Sequence, residues 1–331
     1  MKVFAGTGYA IPESAPAPPF GNCVACPHKA TMDVMASFTC NICGTYNEVE
    51  HFATEPASCG CGSNVRLRAL VHLISMELFG VSFPLPDFPR LQAIAGLGMT
   101  DKECYSAALA RKFDYTNTYY DRDPRLDIAE RHPQAYGAYD FIVSADVLEH
   151  IAPPLDRALE ETCLLLKPHG FLAATVYCDP GDELREHFPG LHEYRIVPLG
   201  GSPVLINRRR DGTVEITGDL KFHGGSGATL EMRDLGIAGL EAALLRAGFQ
   251  EVSFLTDDIP EIGVFFDHDV SQPLIARKEP FILGGNARRE LINLWRSERQ
   301  QAAGLEARMR LAAQSRWLRL GRLFGAGPKL T

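Results

Sequence analysis

Four cysteines between positions 40 and 61 have the spacing of a metal site. Cys40 and Cys43 form a C-x-x-C pair, and after fifteen intervening residues Cys59 and Cys61 form a C-x-C pair; a glycine follows each pair. Two such turns can present four thiolates tetrahedrally to Zn²⁺, at close to zinc-ribbon spacing. Because four cysteines leave no coordination position open for a substrate, the pattern predicts structural zinc.

The ligand set has alternatives. The C-x-C half is one residue shorter than the usual knuckle, so one ligand could come from His51 or from the earlier pair, Cys23 and Cys26. That pair could also combine with Cys40 and Cys43 across thirteen residues. The later four fit best, and Cys23 and Cys26 are either ligands or plain thiols. Six of the nine cysteines lie between Cys23 and Cys61, which in a reducing compartment favours metal over disulfides.

Two carboxylates and a histidine form the second group that could do chemistry. Asp146, Glu149 and His150 follow a short apolar run, residues 141–143, which suits a strand buried on both faces of a parallel sheet. Ligands of open α/β sheets bind beyond the carboxyl ends of the strands. We therefore expect Ser144 and these three residues to lie at a ligand site.

The elements around this group read as strand, helix and strand. Pro153 and Pro154 suit a helix start, and apolar residues recur at helical spacing over residues 155–166. A lysine, a proline and Gly170 then end the helix, and residues 171–176 predict a second buried strand. Two parallel strands require such a crossover.

This unit resembles the middle of class I S-adenosylmethionine-dependent methyltransferases, whose fourth strand, helix and fifth strand carry a hydrophobic run, VLEH and LKPGG. Here VLEH stands at positions 147–150 and LKPHG at 166–170. The resemblance covers residues 91–278 and implies a Rossmann-like α/β fold with a mostly parallel, seven-stranded sheet. Near its end, residues 237–249 predict a helix, and residues 252–255 and 274–277 predict the last two strands.

The resemblance also implies cofactor-binding residues at the end of the first strand, residues 91–95. That strand would open into a glycine turn at Gly96 and Gly98, where glycine lets the backbone approach S-adenosylmethionine closely. The family's acidic residue at this strand end is missing, and Asp101 just beyond the turn could compensate. Residues 103–112 predict the first helix.

A second strand is predicted over residues 115–120. Asp121 at its end is the candidate for the two ribose hydroxyls, with Asp123 as second choice and a solvated acid as the alternative. The following loop resembles the one that holds adenine, so Asp127 would accept from the exocyclic amine and Ile128 would pack on the ring. A role for that loop in packing alone, without contact to a ligand, fits the sequence equally well.

Residues 180–235 form a long insertion after the fifth strand, and insertions there commonly build the acceptor site in this family. His192 and His223 are candidate substrate or base residues, although loop histidines more often have no chemical role. The arginines at positions 208–210 are either a solvated face or a holder of a phosphate or carboxylate on the acceptor.

The implied reaction is methyl transfer to an oxygen or nitrogen of a small-molecule or glycan-like acceptor, with surface polysaccharide biosynthesis as one setting. His150 is the first candidate for the base, with Glu149 beside it. Asp146, Glu149 and His150 also resemble the metal site of some members of the superfamily, and a shared divalent ion is the alternative to a scaffolding role in the cofactor pocket. The rival class is a zinc-ribbon binding or scaffold module fused to an inactive fold.

Composition limits these interpretations. A chain of 331 residues that is 46% hydrophobic suits one large α/β domain with small additions, and a net charge of −8 disfavours a general nucleic-acid binder. We expect neither a membrane span nor a secretion signal, and hence a cytoplasmic location. The expected divisions are an arm (1–38), a zinc module with its connecting helix (39–80), a methyltransferase domain (81–280) and a C-terminal region (281–331).

The C-terminal region combines a long helix with a basic tail. A helix is predicted over residues 287–314, either as a two-stranded coil, which would make a homo-oligomer, or laid on the domain. After Glu306 the chain has six basic residues and no acidic one, and residues 315–328 interleave arginines with Trp317 and Phe324. Such a tail suits an anionic membrane surface, which would place the protein at the inner face of the membrane, or an acidic partner.

Overall fold

The structure, a computed structural model, describes residues 36–49, 58–178, 181–223, 229–266 and 271–314. The predictions for the N-terminal arm with Cys23 and Cys26, for His51 and for the basic tail from residue 315 onward fall outside these ranges. Within them, no helix is long and apolar enough to cross a membrane.

The described residues form fifteen strands, five α-helices and four short 3₁₀ turns. The strands are β1 (Ala36–Thr39), β2 (Tyr46–Val49), β3 (Leu91–Met99), β4 (Phe113–Thr118), β5 (Tyr139–Ala145), β6 (Leu166–Val176), β7 (Leu184–Glu186), β8 (Glu193–Leu199), β9 (Ser202–Arg208), β10 (Val214–Thr217), β11 (Phe222–His223), β12 (Thr229–Leu230), β13 (Arg233–Leu235), β14 (Glu251–Phe254) and β15 (Gln272–Arg277). The helices are α1 (Val65–Phe79), α2 (Glu103–Lys112), α3 (Leu155–Leu165), α4 (Ile237–Arg246) and α5 (Gly285–Gln314), and the 3₁₀ turns are Leu85–Asp87, Pro133–Ala135, Leu148–His150 and Pro260–Ile262.

A six-stranded sheet in the order β14-β15-β6-β5-β3-β4 is the centre of the fold. β3 pairs in parallel with β4 and β5, and β5 pairs in parallel with β6, while β15 runs antiparallel to both β6 and β14. The mostly parallel, Rossmann-like sheet is therefore confirmed. The expected seventh strand is absent from the described residues, because the segment between β4 and β5 forms loops and the 3₁₀ turn Pro133–Ala135 instead.

Each face of the sheet is covered by its own core. On one face, side chains of α3 and α4 pack against residues such as Leu97, Ile142 and Leu172. On the other face, α1 and α2 pack against Phe113 and Phe141. Parallel strands with helices on both faces bury their apolar residues completely, which is why these strands read as continuous apolar runs.

The cysteine region joins the second core. β1 and β2 form an antiparallel hairpin, and α1 begins directly after the last cysteine turn. Phe38 and Ile42 from this region are buried in the same cluster as the side chains of α1 and β3. The connecting helix expected within residues 39–80 is thus present as α1.

The insertion between β6 and α4 is built of short antiparallel strands. β8, β9 and β10 form a three-stranded sheet, β11 pairs with β12, and β13 pairs with β7.

The long C-terminal helix α5 contacts the rest of the chain through its first turns, where Ala287 is buried and Leu291 and Leu294 pack on the core. From Trp295 to Ala312 its residues are exposed, so the described part of α5 is laid on the domain only at its start.

Candidate functional site

Asp146 lies immediately beyond β5, at the edge of the sheet where the parallel strands end. Its carboxylate accepts hydrogen bonds from Thr175 Oγ1 at 2.8 Å and from Ser271 Oγ at 3.0 Å, and it forms a buried ion pair with Arg66 of α1. The backbone of Asp146 is left-handed (φ 51°), a conformation that aspartate tolerates better than most residues. Three partners from different elements hold this carboxylate in one place.

Glu149 is a buried acid in the 3₁₀ turn Leu148–His150. It is 3% exposed, and neither carboxylate oxygen has a hydrogen-bond partner among the described residues. Burial raises the pKa of Glu149 from 4.5 to about 7, while Arg66 and Arg233 act to lower that pKa and Glu231 to raise it further. Burial thus favours the protonated form of this carboxyl, and a cationic ligand beside it would favour the ionised form.

His150 lies beside Glu149 with a defined tautomer. Its Nδ1 is 3.0 Å from the carbonyl oxygen of Leu230, which can only accept, so Nδ1 carries the hydrogen and Nε2 carries the lone pair. Nε2 lies 4.0 Å from Oε1 of Glu149, and the ring of His223 packs edge-on with a centroid distance of 5.7 Å. Burial lowers the pKa of His150, which keeps the imidazole neutral. The structure thus brings the three predicted catalytic side chains together.

The predicted glycine turn is wrong. Gly96 and Gly98 lie inside β3, which continues to Met99, because the strand pairs with β4 and β5 along this whole stretch. A Cβ at position 96 would come within 2.6 Å of the Tyr115 ring, and one at position 98 would overlap the Tyr115 hydroxyl and Asp101. Side chains of this chain fill the space that the resemblance assigns to a cofactor.

Asp101 is buried directly after β3 and is engaged by two tyrosines. Its carboxylate accepts hydrogen bonds from Tyr105 Oη at 2.7 Å and from Tyr115 Oη. Its backbone is fixed by Asn117, whose Oδ1 accepts from the Asp101 amide and whose Nδ2 donates to its carbonyl oxygen, both at 2.9 Å. Burial raises the pKa of Asp101 to about 7, against the two tyrosine hydrogen bonds.

A cavity of about 500 Å³ opens where β3 and β4 end. Its lining includes Thr100, Asp101, Asn117, Tyr119 and Arg122. Asp121 and Asp123 are exposed in the turn that follows β4. The predicted ribose acids therefore lie in the same chain segment as the lining residue Arg122.

In the loop expected to hold adenine, Asp127 is partly exposed, whereas Ile128 is buried. Asp127 is half-buried and accepts a hydrogen bond from the Ala129 amide at 3.1 Å. Ile128 is 5% exposed and packs in the core with Leu97 and Met99, so in this structure its side chain has a packing role. Ser144, by contrast, is fully buried in β5 and its Oγ has no hydrogen-bond partner among the described residues.

The four predicted cysteines converge. The sulfur atoms of Cys40, Cys43, Cys59 and Cys61 all lie within 4.8 Å of one another. Cys40 Sγ is 3.8 Å from Cys61 Sγ, and Cys43 Sγ is 3.5 Å from Cys59 Sγ. Four sulfurs at about 2.3 Å from a tetrahedral Zn²⁺ would be about 3.8 Å apart, so the donor set fits zinc. Over the part of the chain that the structure describes, this is the only such group of potential metal ligands, and Asp146, Glu149 and His150 do not form one.

The remaining predicted residues lie in the insertion. His192 is half-buried beside Asn207, whose Oδ1 accepts from the His192 amide at 2.9 Å. Two of the three arginines make ion pairs, Arg208 with Glu193 at 3.7 Å and Arg209 with Glu215 at 2.6 Å. These contacts favour the solvated-face interpretation of the arginine triplet.

Arg66 is the site residue that the sequence interpretation missed. The sequence places it only within the connecting helix, whereas in the structure it is buried and pairs with Asp146 at the sheet edge. A signal was available: Arg66 and Arg68 are two charges in an otherwise apolar stretch, and a buried charge needs a partner.

Comparison with known proteins gave structural neighbours only. No family description and no curated relative matches this sequence. The fold is similar to the 1,6-didemethyltoxoflavin N1-methyltransferase of Burkholderia thailandensis, with 13% identity over 64% of this chain and 78% of that chain and a TM-score of 0.36. It is also similar to an S-adenosylmethionine-dependent methyltransferase of Clostridium acetobutylicum (12% identity, 55% and 83% covered, TM-score 0.34) and to a sugar N-methyltransferase of a Streptoalloteichus species (14%, 65% and 87%, TM-score 0.37). All three are methyltransferases by name.

Proposed function

We propose that this chain is an S-adenosylmethionine-dependent methyltransferase that acts on an oxygen or nitrogen of a small-molecule or glycan-like acceptor. The observation that carries the proposal is the polar group buried beyond β5, in which Glu149, an acid with no hydrogen-bond partner among the described residues, lies beside the neutral base His150. It stands at the sheet edge where α/β proteins of this architecture bind their ligands.

Two groups at this edge suit a polar, cationic ligand. A buried carboxylate without a partner is costly, so a cationic group beside Glu149 would stabilise its ionised form. The buried Ser144 hydroxyl would gain a partner in the same way. S-adenosylmethionine carries a sulfonium and an ammonium group, and these two residues fit it. The space beside Gly98 is filled by side chains of this chain and does not fit the cofactor. The glycine pair is therefore not part of the proposed site.

When bound, the cofactor would supply an electrophilic methyl group. His150 would take the acceptor's proton at Nε2, because its Nδ1 is committed to the Leu230 carbonyl and its lowered pKa keeps it neutral. His223, which packs on His150 from β11, would line the acceptor side. Asp146 would act by orientation, since its carboxylate is already bound by three partners.

The cysteine cluster is proposed to hold one structural Zn²⁺. The four sulfur atoms have the mutual distances of a closed tetrahedral site, which leaves no position for a substrate. Its contribution would therefore be to the folding of β1, β2 and the start of α1.

Calorimetric titration with S-adenosylhomocysteine tests the proposal. We expect micromolar binding by the wild-type chain, and weaker binding by about 1–3 kcal/mol for Asp121→Ala if that carboxylate accepts from the ribose hydroxyls. Asp114→Ala is the matched control, because Asp114 is an exposed acid at the opposite end of β4.

Each arm of the titration has a contradicting result. No binding by the wild-type chain would favour the rival function, a zinc-containing binding or scaffold module on an inactive fold. Equal affinities of the Asp121→Ala and Asp114→Ala variants would remove Asp121 from the ribose role. Product mass spectrometry on extracts of surface glycans and lipids would then identify the acceptor.

A further inference from the structure

The helix that follows the cysteine cluster supplies a side chain to the candidate ligand site. α1 starts at Val65, four residues after Cys61, and Asn64 caps it by accepting a hydrogen bond from the Leu67 amide at 3.2 Å. One residue into the helix, Arg66 is buried and paired with Asp146 at the end of β5. The cysteine region and the sheet edge are thus connected through the first turn of a single helix.

Arg66 faces several of the buried ionisable groups at this edge. Besides its ion pair with Asp146, its positive charge acts to lower the pKa of Glu149 and that of Tyr105, the tyrosine bound to Asp101. Asp101, Asp146 and Glu149 are all buried. The guanidinium of Arg66 therefore favours the ionised forms of Asp146 and Glu149, and it shares that role at Glu149 with Arg233.

The position of the first turn of α1 depends on the cysteine turns. Ser63, the residue before the helix cap, has its hydroxyl 3.3 Å from Cys40 Sγ. Arg68 is fully buried and donates to Ser58 Oγ at 2.9 Å on the cysteine loop and to the Gly263 carbonyl at 2.6 Å on the sheet domain. Residues 58–64 are therefore held between the thiol cluster and the helix, and a change in the cluster would shift the place of Arg66.

We propose that Arg66 is a positioning residue of the ligand site and that metal at Cys40, Cys43, Cys59 and Cys61 sets its place, so that cofactor affinity depends on the loaded cluster. The inference rests on the proposed function. It gives the cysteine region a part in building the methyl-transfer site, where a separate binding module would have none.

The test is the affinity for S-adenosylhomocysteine, measured by calorimetry on zinc-loaded chain. Arg66→Met should weaken binding by about tenfold. Arg66→Lys keeps the charge but loses the planar guanidinium group, so it should weaken binding by less. Cys59→Ser, or removal of the metal by a chelator, should weaken binding to a similar degree. The double variant Cys59→Ser/Arg66→Met should bind no worse than either single variant within about twofold, because both changes remove the same contact.

A pH profile separates positioning from general destabilisation. The charged groups acting on Glu149 are Arg66 from α1, Glu231 from the link between β12 and β13, and Arg233 at the start of β13, with His150 beside it. Without Arg66 the ionisation of Glu149 moves to higher pH, so the pH at which binding is half-maximal should rise in Arg66→Met. Circular dichroism checks that each variant is folded.

Arg277→Met is the matched control. Arg277 of β15 forms a half-buried ion pair with Glu77 near the other end of α1, at 2.6 Å, and should change stability without changing affinity or the pH profile. Affinity of Arg66→Met within about twofold of wild type, an unshifted pH profile, or equal binding by metal-free and metal-loaded chain would each overturn the inference while leaving the proposed function standing. Absence of binding by the wild-type chain would overturn both.

Discussion

Glu149 is an acid whose ionisation opposes folding in the ligand-free chain. Its pKa is raised by burial from 4.5 to about 7, so between these values the unfolded chain is ionised while the folded chain keeps the proton. The stability that this group contributes is thus complete below about pH 4.5 and is lost as the pH rises through about 7. At 1.36 kcal/mol per pKa unit, the loss is about 3 kcal/mol.

We therefore expect Glu149→Gln to flatten the pH dependence of stability. The variant cannot ionise, so its free energy of unfolding should fall by less than that of wild type between about pH 5 and about pH 8. Asp101, with a pKa of about 7, acts in the same direction and keeps part of the slope in both chains. Urea unfolding at the two pH values measures the difference. The exposed Glu241→Gln is the control, and an identical slope for both variants would show that Glu149 is not buried as described.

Gly98 gives a second prediction at the scale of one residue. A Cβ there would overlap Tyr115 Oη and Asp101 Oδ2 and would lie 2.9 Å from Asn117 Oδ1. Gly98→Ala should therefore destabilise the fold by about 1–3 kcal/mol, the usual cost of overpacking a core. Gly218→Ala is the control, because a Cβ at position 218 would meet no atom of the described residues within 4 Å and its backbone is not left-handed. Equal urea midpoints for the two variants would mean that the space beside Gly98 is open, as a cofactor pocket would require.

At the scale of elements, the periodicity of the sequence predicted α2 and the start of α3, and placed the strands on either side of α3. Those elements are long or strongly apolar, and Pro154 directly precedes α3. The predicted helix stop at Gly170 is wrong, because α3 ends at Leu165 and Gly170 lies inside β6. The error at Gly96 and Gly98 has a physical reason. A glycine that makes room for the rings of Tyr115 and Phe141 cannot be told from a turn glycine until the neighbouring strands are known.

The missing seventh strand and the identity of the partner of Arg66 could not be predicted from the sequence, for a related reason. The segment before β5 is held by contacts from elsewhere in the chain: buried Glu161 of α3 accepts from the His132 amide at 2.6 Å, from Arg131 at 3.1 Å and from Tyr136 Oη at 3.1 Å. Likewise, the partner of Arg66 lies eighty positions away. The site residues Glu149 and His150 could be predicted because they belong to one contiguous motif, whereas Arg66, Thr175 and Ser271 come from separate elements.

At the scale of the whole molecule, the cysteine region shares a core with the sheet. Phe38, Cys40 and Ile42 are buried in the same cluster as Phe113 of β4, and Phe38 lies under the Arg68 guanidinium at 4.4 Å from its ring centroid. A Cβ added at Gly263, which follows the 3₁₀ turn Pro260–Ile262, would come within 2.6 Å of the Phe38 ring. A region that shares its apolar contacts with the main core should unfold together with it.

This shared core makes the proposed zinc a stabiliser of the entire chain. Cys40→Ser should lower the zinc content, and both this variant and chelator-treated wild type should unfold at a lower temperature, because ligands of a closed site contribute their binding free energy to folding. Since the cysteine region shares a core with the sheet, we expect a single thermal unfolding transition, and we expect its midpoint to shift as a whole. Zinc analysis and calorimetric scanning measure the two effects, and Cys178→Ser, a half-buried thiol outside the cluster, is the control. A small metal-sensitive transition that precedes an unshifted main transition would show instead that the cysteine region folds separately, and unchanged zinc in Cys40→Ser would remove that thiol from the site.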